Sequence, residues 1–148
     1  MLPATTERVS LHTTTAVNRR IRHETEARIA YFARHPAEIP ARLAELDHEW
    51  DIERSLEANA SSLAFTGIIL GATLDRRWLM LPALVTAFLF QHAVQGWCPP
   101  VPVLRRIGFR TASEIEQERH ALKALRGDFA RIEQAEDRAA AAFQAARV

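Results

Sequence analysis

Trp78–Cys98, which reads WLMLPALVTAFLFQHAVQGWC, contains no aspartate, glutamate, lysine or arginine. A bilayer core about 30 Å thick needs about 20 helical residues at a rise of about 1.5 Å each. Only Thr86, Gln91, His92 and Gln95 interrupt the apolar surface, so a helix here lacks the broad polar stripe of a surface helix. We therefore predict a transmembrane helix over this stretch.

A second apolar stretch, Ala58–Leu74 (ANASSLAFTGIILGATL), precedes the first one. It is shorter and carries five hydroxyl or amide side chains, and we expect it to take extra length from the helix before it. The connection Asp75–Arg77 holds the only charged residues between Ala58 and Leu104. So short a connection predicts two antiparallel helices. The expected fold class is all-α, with a membrane hairpin of two transmembrane helices flanked by amphipathic cytoplasmic helices.

Three consecutive segments follow from this pattern. Residues 1–57 hold a tail and two amphipathic helices, residues 58–104 the hairpin, and residues 105–148 a C-terminal amphipathic or coiled-coil-like helix. Before the hairpin, the spacing predicts helices over Val17–Arg34 and Pro40–Glu57, separated by the proline-flanked HPAEIP. The first eleven or so residues are expected to be a poorly ordered tail.

The C-terminal segment has apolar residues in a three-four rhythm from Ile115 onward. Thr111 and Glu114 form a capping-box pattern at its start, and Gly127 inside it costs about 1 kcal/mol relative to alanine. An alternative interpretation of the whole chain is a soluble all-α bundle with both apolar stretches in its core. Pro82, near the start of the second stretch, favours that alternative.

The overall composition excludes several protein classes. The chain has 148 residues, 48% of them hydrophobic, and its 19 basic and 18 acidic residues give a net charge of +1. This balance argues against nucleic-acid binding, and a single cysteine, Cys98, cannot form an intrachain disulfide or a cysteine-rich zinc site. No basic-then-apolar stretch with a small-residue cleavage site opens the sequence, so we expect no removable signal peptide.

The distribution of arginines predicts the orientation of the hairpin. Arg76 and Arg77 lie in its loop, whereas five arginines lie close to it in the flanks: Arg42, Arg54, Arg105, Arg106 and Arg110. By the positive-inside rule both termini face the cytoplasm. Trp50, Trp78 and Trp97 lie near the ends of the predicted spans and are typical of interface anchors, although a soluble core would use the same residues.

Small residues follow one face of the first span. Gly67 and Gly71 have the small-xxx-small spacing, and Ala64 continues the same face. Such a face lets another helix approach closely. The partner helix is either the second span of the same hairpin or a helix of a second copy, and the sequence favours neither.

His92 is the candidate intramembrane polar or ligand residue, with Gln91 and Gln95 beside it. An imidazole in an apolar span can ligate haem or a metal, or relay a proton, because ionisable groups there usually face a bundle interior. The alternative is a hydrogen bond to a neighbouring helix or to the headgroup layer. One histidine is not a complete site, so we expect no metal site and no cofactor within one chain; haem held between two chains stays open.

Cys98 is the candidate reactive thiol, at the membrane edge and near Arg105 and Arg106 in sequence. A lowered thiol pKa needs a neighbouring cation or a helix N-terminus, and the alternative is a small structural residue. No phosphate loop, His-Glu-x-x-His pair, Ser-x-x-Lys pair or nucleophile elbow occurs in the sequence. We therefore expect a protein that is not an enzyme.

The two short spans, the Gly67–Gly71 pair, Gly96-Trp97-Cys98-Pro99 and the following Leu104–Gly108 resemble the YgaP-like inner-membrane transmembrane domain. The resemblance covers Ala58–Gly108. It implies a bacterial inner-membrane hairpin with cytoplasmic termini and possible dimerisation; members occur alone or fused to rhodanese sulfurtransferase domains, which this chain lacks.

Two functional hypotheses follow. The first is a non-enzymatic, multi-pass inner-membrane anchor, scaffold or accessory subunit, whose partners are the lipid bilayer and either a second copy or a larger membrane complex. The second is a redox or sulfur-handling membrane protein that uses Cys98, with His92 as its neighbour.

Overall fold

The structure is a computed structural model that describes residues 4–130 and 132–146. The predicted all-α class is confirmed: the described residues are 77% helical and contain no strand. Within those residues the α-helices are α1 (Arg8–Leu11), α2 (Thr15–Arg34), α3 (Ile39–His48), α4 (Ile52–Thr73), α5 (Met80–Gln95), α6 (Val101–Ile107), α7 (Ala112–Arg126) and α8 (Arg138–Ala146).

The described residues divide into two compact units, and each unit joins distant parts of the chain. The hairpin unit comprises Met1–Ile21 and Trp50–Ala112, and the second unit comprises Arg22–Glu49 and Ser113–Val148. These units differ from the three consecutive segments 1–57, 58–104 and 105–148, because spatial contact rather than chain order defines them. Helix α2 passes from the hairpin unit into the second unit after Ile21.

In the hairpin unit, α4 and α5 form an antiparallel pair. A 3-10 turn over Arg76–Leu79 joins them, and the Asp75 carboxylate accepts a hydrogen bond of 2.8 Å from the backbone N–H of Arg77. A Cβ on Gly67 would lie 2.5 Å from Cδ of Pro82, and one on Gly71 2.6 Å from Cδ2 of Leu79. The two helices therefore pack closely because glycine occupies these positions.

One helical stretch in the described residues, Arg76–Gln95, is long and apolar enough to cross a bilayer by length and composition. Core helices of soluble proteins pass the same test, but they are mostly buried, whereas 6% of the most apolar window of this stretch is buried. Helix α4 does not pass the test. The fold thus contains one helix of membrane length and composition where the sequence predicted two.

The single helix predicted over Pro40–Glu57 is wrong. Helix α3 ends at His48, Glu49 is extended with ψ 128°, and α4 begins at Ile52. Asp51 caps α4 by accepting a hydrogen bond of 2.7 Å from the backbone N–H of Arg54. Residues 52–57 therefore extend the first apolar stretch, as expected, but they belong to a helix separate from α3.

The break divides one apolar stripe between two cores. In the second unit, Ile39, Leu43 and Leu46 of α3 pack with Ile115 and Leu122 of α7. The half-buried Phe32 packs against this core. In the hairpin unit, Ile52 and Leu56 of α4 pack with Val9, Cys98 and Val101. The apolar residues keep their helical spacing from α3 into α4. The spacing alone therefore did not reveal the break between the two helices.

The prediction of a single C-terminal helix is also wrong. Helix α7 begins directly after Thr111, as the capping pattern indicated, and ends at Arg126. Gly127 follows with φ +85°, a left-handed conformation that ends a helix, and α8 begins only at Arg138. A continuous coiled-coil seam is therefore excluded over these residues.

Two further corrections concern the ends of the hairpin unit. The expected disordered tail is wrong for residues 8–11, which form α1, and Val9 is 2% exposed in the core; residues 1–3 lie outside the described residues. Helix α5 ends at Gln95 rather than at Cys98, because Gly96 adopts a left-handed conformation with φ +79°. The prolines that follow lead into α6, a helix that the sequence did not indicate.

Candidate functional site

Three charged or polar side chains from separate elements meet at the open end of the hairpin, the end where α4 begins and α5 ends. Nε2 of His92 lies 2.7 Å from Oε2 of Glu53, and a guanidinium nitrogen of Arg8 lies 3.0 Å from Oε1 of the same carboxylate. Arg8 also donates a hydrogen bond of 3.0 Å to the carbonyl of Ala93, in the last turn of α5. We call these three residues, Arg8, Glu53 and His92, the open-end cluster.

The electrostatics of the open-end cluster favour an ionised Glu53. The hydrogen bond from His92, followed by that from Arg8, holds the pKa of Glu53 below its ordinary value of 4.5 despite the opposing effect of burial. Since the carboxylate is an acceptor, Nε2 of His92 is the donor. Glu53 lies in the first turn of α4, and the guanidinium of Arg8 contacts the last turn of α5 through the carbonyl of Ala93. Each charge therefore complements the dipole of the helix end that it lies beside.

His92 is 3% exposed, and its bond to α4 matches the alternative of hydrogen bonding to a neighbouring helix. Its Nδ1 is buried with no hydrogen-bond partner in the part of the chain that the structure describes. Gln91 is half-buried and Gln95 exposed on the same helix, and the bond from His92 goes to a carboxylate rather than to either amide. A haem ligand role for His92 stays a prediction, and Nε2 is occupied by Glu53.

Cys98 lies in the core of the hairpin unit rather than at an accessible edge. It is 7% exposed, and burial raises the pKa of its thiol. The guanidinium of Arg105, which is near Cys98 in sequence, donates to the side chains of Thr13 and Asn18 and to the carbonyl of Phe109. A buried protonated thiol is a poor nucleophile. The sulfur-handling hypothesis stays a prediction, and this geometry does not strengthen it.

The small residues of α4 face α5. Gly67 and Gly71 are buried, and Ala64 is half-buried on the same face. Of the two alternatives for this face, the described chain uses packing within the hairpin, because Pro82 and Leu79 of the second arm occupy the space that a side chain would need.

The three tryptophans lie at the two ends of the hairpin. Trp78 is 45% exposed in the 3-10 turn at the tip. Trp50, 48% exposed, precedes α4 and lies under the guanidinium of Arg54 at 4.5 Å. Trp97 is half-buried and meets Phe88 edge to face, with ring centroids 6.5 Å apart. Their role as interface anchors stays a prediction.

Polar side chains along the hairpin are satisfied within their own helices. Each donates to a backbone carbonyl three or four residues earlier, at 2.7 to 3.1 Å; they are Asn59, Ser61, Ser62, Thr66, Thr73 and Thr86. Such bonds leave no hydroxyl proton that requires water. The outer surface of α4 is therefore less polar than its sequence, because these donors are already bonded to the helix backbone.

An apolar cleft of about 200 Å³ opens beside the open end of the hairpin. It is lined by residues of α4 and α5 and by the segment that leads into α6, among them Leu56, Leu63, Leu89, Pro99 and Pro100. Its lining is almost wholly hydrocarbon, so it can accept an apolar group but offers nothing that would bind a charged one.

The sequence did not identify two members of the open-end cluster, because Arg8 was assigned to a tail and Glu53 to a solvated helix face. The available signal was His92 itself, since an ionisable residue in an apolar stretch requires a polar partner.

The sequence also missed a buried carboxylate in the second unit. Glu118 is 0% exposed and accepts hydrogen bonds from Arg28 at 3.1 Å and Arg42 at 2.9 Å, although its position interrupts the apolar rhythm of α7.

No group of three or more histidine, cysteine, aspartate or glutamate side chains that could hold a metal ion occurs in residues 4–130 and 132–146. The arrangement at the open end is thus an ion-paired, hydrogen-bonded cluster. Comparisons with protein-family models, with curated proteins and with solved structures find no match to this chain.

Proposed function

We propose that this protein is a non-enzymatic membrane protein whose α4–α5 hairpin is embedded in a lipid bilayer and anchors the helices of the second unit. The observation that carries the proposal is the outward apolar surface of the hairpin. Eleven large apolar side chains on it are between 37% and 74% exposed: Leu63, Phe65, Ile68, Ile69, Leu74, Trp78, Leu79, Met80, Leu84, Phe90 and Val94.

The size of this surface supports hydrocarbon rather than water as its surroundings. Burying one such side chain fully is worth about 1.5–3 kcal/mol, so eleven half-exposed ones forgo on the order of 10 kcal/mol in water. That is comparable with the whole stability of a domain. A bilayer or a protein partner recovers this free energy, and the dimensions favour the bilayer, since α5 and the preceding 3-10 turn extend for about 30 Å.

The polar side chains of α4 support a second membrane crossing by this helix. Asn59, Ser62, Thr66 and Thr73 return their hydrogen bonds to the helix backbone, so they enter hydrocarbon at a lower cost than free polar groups. Both arms of the hairpin then cross the membrane, and the open end lies on the same side as both termini. The arginines near the open end support a cytoplasmic location for that side, by the positive-inside rule.

Membrane extraction of the full chain tests the proposal. We expect the protein to remain in the membrane pellet after high salt and alkaline carbonate and to leave it only with detergent. Leu84→Arg, at a 55% exposed position of α5, should deplete the pelleted fraction, because an arginine at the centre of a span costs about 2.5–3.5 kcal/mol on insertion scales.

Leu125→Arg is the matched control. Leu125 is 44% exposed on α7 in the second unit, so its replacement should leave the pelleted fraction unchanged. Release of the unaltered chain by carbonate, in a monodisperse form without detergent, would overturn the proposal in favour of a soluble bundle.

The proposed partners are the bilayer and either a second copy of the chain or the subunits of a membrane complex. The glycine face of α4 already packs within the hairpin. Partners would therefore contact the outward apolar surface. Co-purification after gentle detergent extraction distinguishes a self-associating scaffold from an accessory subunit, and a visible spectrum of the same preparation tests for haem between chains.

A further inference from the structure

Helix α6 buries Val101 in the core of the hairpin unit, but it also buries an arginine and exposes two large apolar side chains. Arg105 is 0% exposed, whereas Val103 and Ile107 are 58% and 68% exposed. Arg106 is exposed as well, and residues three and four apart lie on one helix face, so Val103, Arg106 and Ile107 share the outward side. We call these three residues the outward face of α6.

The buried arginine fixes this orientation. The guanidinium of Arg105 donates hydrogen bonds to the hydroxyl of Thr13 at 3.2 Å, the amide oxygen of Asn18 at 3.0 Å and the carbonyl of Phe109 at 3.0 Å. Turning Val103 and Ile107 inward would remove these partners from a fully buried charge, which is costly. The outward face of α6 is therefore a stable property of the hairpin unit.

The position of α6 beside the hairpin indicates what this face meets. Pro99 and Pro100, which lead directly into α6, line the apolar cleft together with Val85 and Leu89 of α5. These two α5 residues lie in the last three turns of that helix, so the segment that leads into α6 runs beside the part of the hairpin near its open end. Amphipathic helices at a membrane surface lie about 5–10 Å into the boundary between headgroups and acyl chains.

We propose that the outward face of α6 binds the membrane surface, with Val103 and Ile107 in the acyl-chain boundary and Arg106 on the phosphate of an anionic phospholipid headgroup. This inference rests on the proposed membrane insertion of the hairpin. The charges of the chain agree with it. Without Asp75, Arg76 and Arg77 at the tip of the hairpin, the hairpin unit holds seven arginines against four acidic residues, whereas the second unit holds ten basic against thirteen acidic ones.

Site-specific fluorescence of the full chain tests the inference. A polarity-sensitive label is attached through Ile107→Cys in a Cys98→Ala background, and the protein is reconstituted into phosphatidylcholine vesicles with or without phosphatidylglycerol. Lipids with brominated acyl chains quench labels in the bilayer, and iodide quenches labels in water. Phe90→Cys on α5 reports on the hairpin, and Leu125→Cys on α7 serves as the matched control; both positions are exposed.

We expect the label at position 107 to lose fluorescence to brominated lipid when phosphatidylglycerol is present, and to lose less in phosphatidylcholine alone or with Arg106→Gln. The label at position 90 should be quenched by brominated lipid in both kinds of vesicle. The label at position 125 should be quenched by iodide. Circular dichroism checks that each variant keeps its helix content.

Other outcomes separate the two proposals. Iodide quenching at position 107, together with lipid quenching at position 90, overturns the α6 inference and leaves the inserted hairpin. Iodide quenching at position 90 overturns the inserted hairpin itself. Shielding of position 107 from both quenchers identifies a protein contact and overturns lipid binding, and equal lipid quenching with and without phosphatidylglycerol overturns the headgroup assignment.

The Cys98→Ala background has its own check. Should this change lower the helix content, the same three positions are labelled in the chain that retains Cys98. Its thiol is 7% exposed, so labelling of the exposed positions precedes it, and the same quenching outcomes apply.

Discussion

The hairpin unit and the second unit place the same kinds of residue on opposite sides. Along the hairpin, large apolar side chains point outward, and glycines make the contact between the helices. In the second unit, Ile39, Leu46 and Leu122 are at most 2% exposed. The second unit is thus organised as a protein in water, whereas the hairpin has the arrangement expected where the surroundings are themselves apolar.

The two units also differ in how they hold a carboxylate. Glu118 is completely buried between Arg28 and Arg42, whose charges do not change with pH. The side chain of Glu53 is 27% exposed and is held by Arg8 and by the imidazole of His92. One carboxylate is therefore buried between two arginines, and the other lies in a partly exposed cluster with one arginine and one histidine. Two substitutions test this difference, and a third, Gly67→Ala, tests the glycine contact within the hairpin.

The largest effect is expected for Glu118→Gln in the second unit. The change leaves two arginines without their buried counter-charge, and removing one partner of a buried pair costs about 3–5 kcal/mol. We expect the lower end of that range, because Arg28 and Arg42 are 32% and 17% exposed. Equilibrium unfolding followed by far-UV circular dichroism measures the loss.

Glu116→Gln on the same helix is the control for that experiment. Its side chain is 45% exposed and pairs with Arg119 three residues later, so its loss should cost about 0–1 kcal/mol. Equal stability of the two variants would show that burial of Glu118 adds nothing to its pairing.

A smaller loss is expected for Gly67→Ala in the hairpin. The added Cβ would lie 2.5 Å from Cδ of Pro82, and a proline ring on a packed helix cannot rotate away. Overpacking of this kind costs about 1–3 kcal/mol. Unfolding in mixed micelles measures it, with Ala72→Leu as the control, since Ala72 is exposed on α4. A neutral Gly67→Ala would mean that the two arms are more widely separated than this packing requires.

The smallest effect is expected for Glu53→Gln, which should lower stability above the ordinary pKa of 4.5 and have no effect in acid. The pKa of Glu53 is lowered in the folded protein by His92 and Arg8, so the carboxylate stabilises the fold above its ordinary value of 4.5. That contribution disappears as the pH falls through the folded pKa. Thermal unfolding should therefore show a steeper loss of stability below pH 4.5 for the unaltered chain than for Glu53→Gln.

Glu57→Gln, one turn further along α4 and exposed, is the matched control and should retain the steep profile. Parallel pH profiles for the unaltered chain and Glu53→Gln would contradict the assignment of Glu53 to the open-end cluster.

The sequence predicted helix α2, the proline break after it and the antiparallel pairing of the two apolar stretches, because these depend on local signals such as proline positions and a short connection. It did not predict the break between α3 and α4. Asp51 is a good capping residue, yet the apolar spacing from Ile39 to Leu56 continues across it. A periodic pattern indicates which face of a helix is apolar. It does not indicate in which of two cores the residues of that face are buried.

The candidate site was predicted only in part for a similar reason. His92 was identified because it is unusual in its own stretch, whereas Arg8 and Glu53 are ordinary in theirs. Arg8 is 85 positions from Ala93, whose carbonyl it contacts, and Glu53 is 39 positions from His92, so nothing local relates these residues. Glu118 was seen only as an interruption of an apolar rhythm, because a buried carboxylate is recognised by its arginines and not by its own neighbours.

The interleaving of the two units sets an order for the assembly of the chain during synthesis. Domains generally fold as soon as their residues are available. The hairpin unit can close once Ala112 has emerged from the ribosome, because Arg105 then has Thr13 and Asn18 beside it. Residues 22–49, made earlier, must wait as an open loop until α7 supplies Ile115 and Leu122. A released fragment that ends at residue 112 would therefore carry a finished hairpin unit and an unfinished second unit.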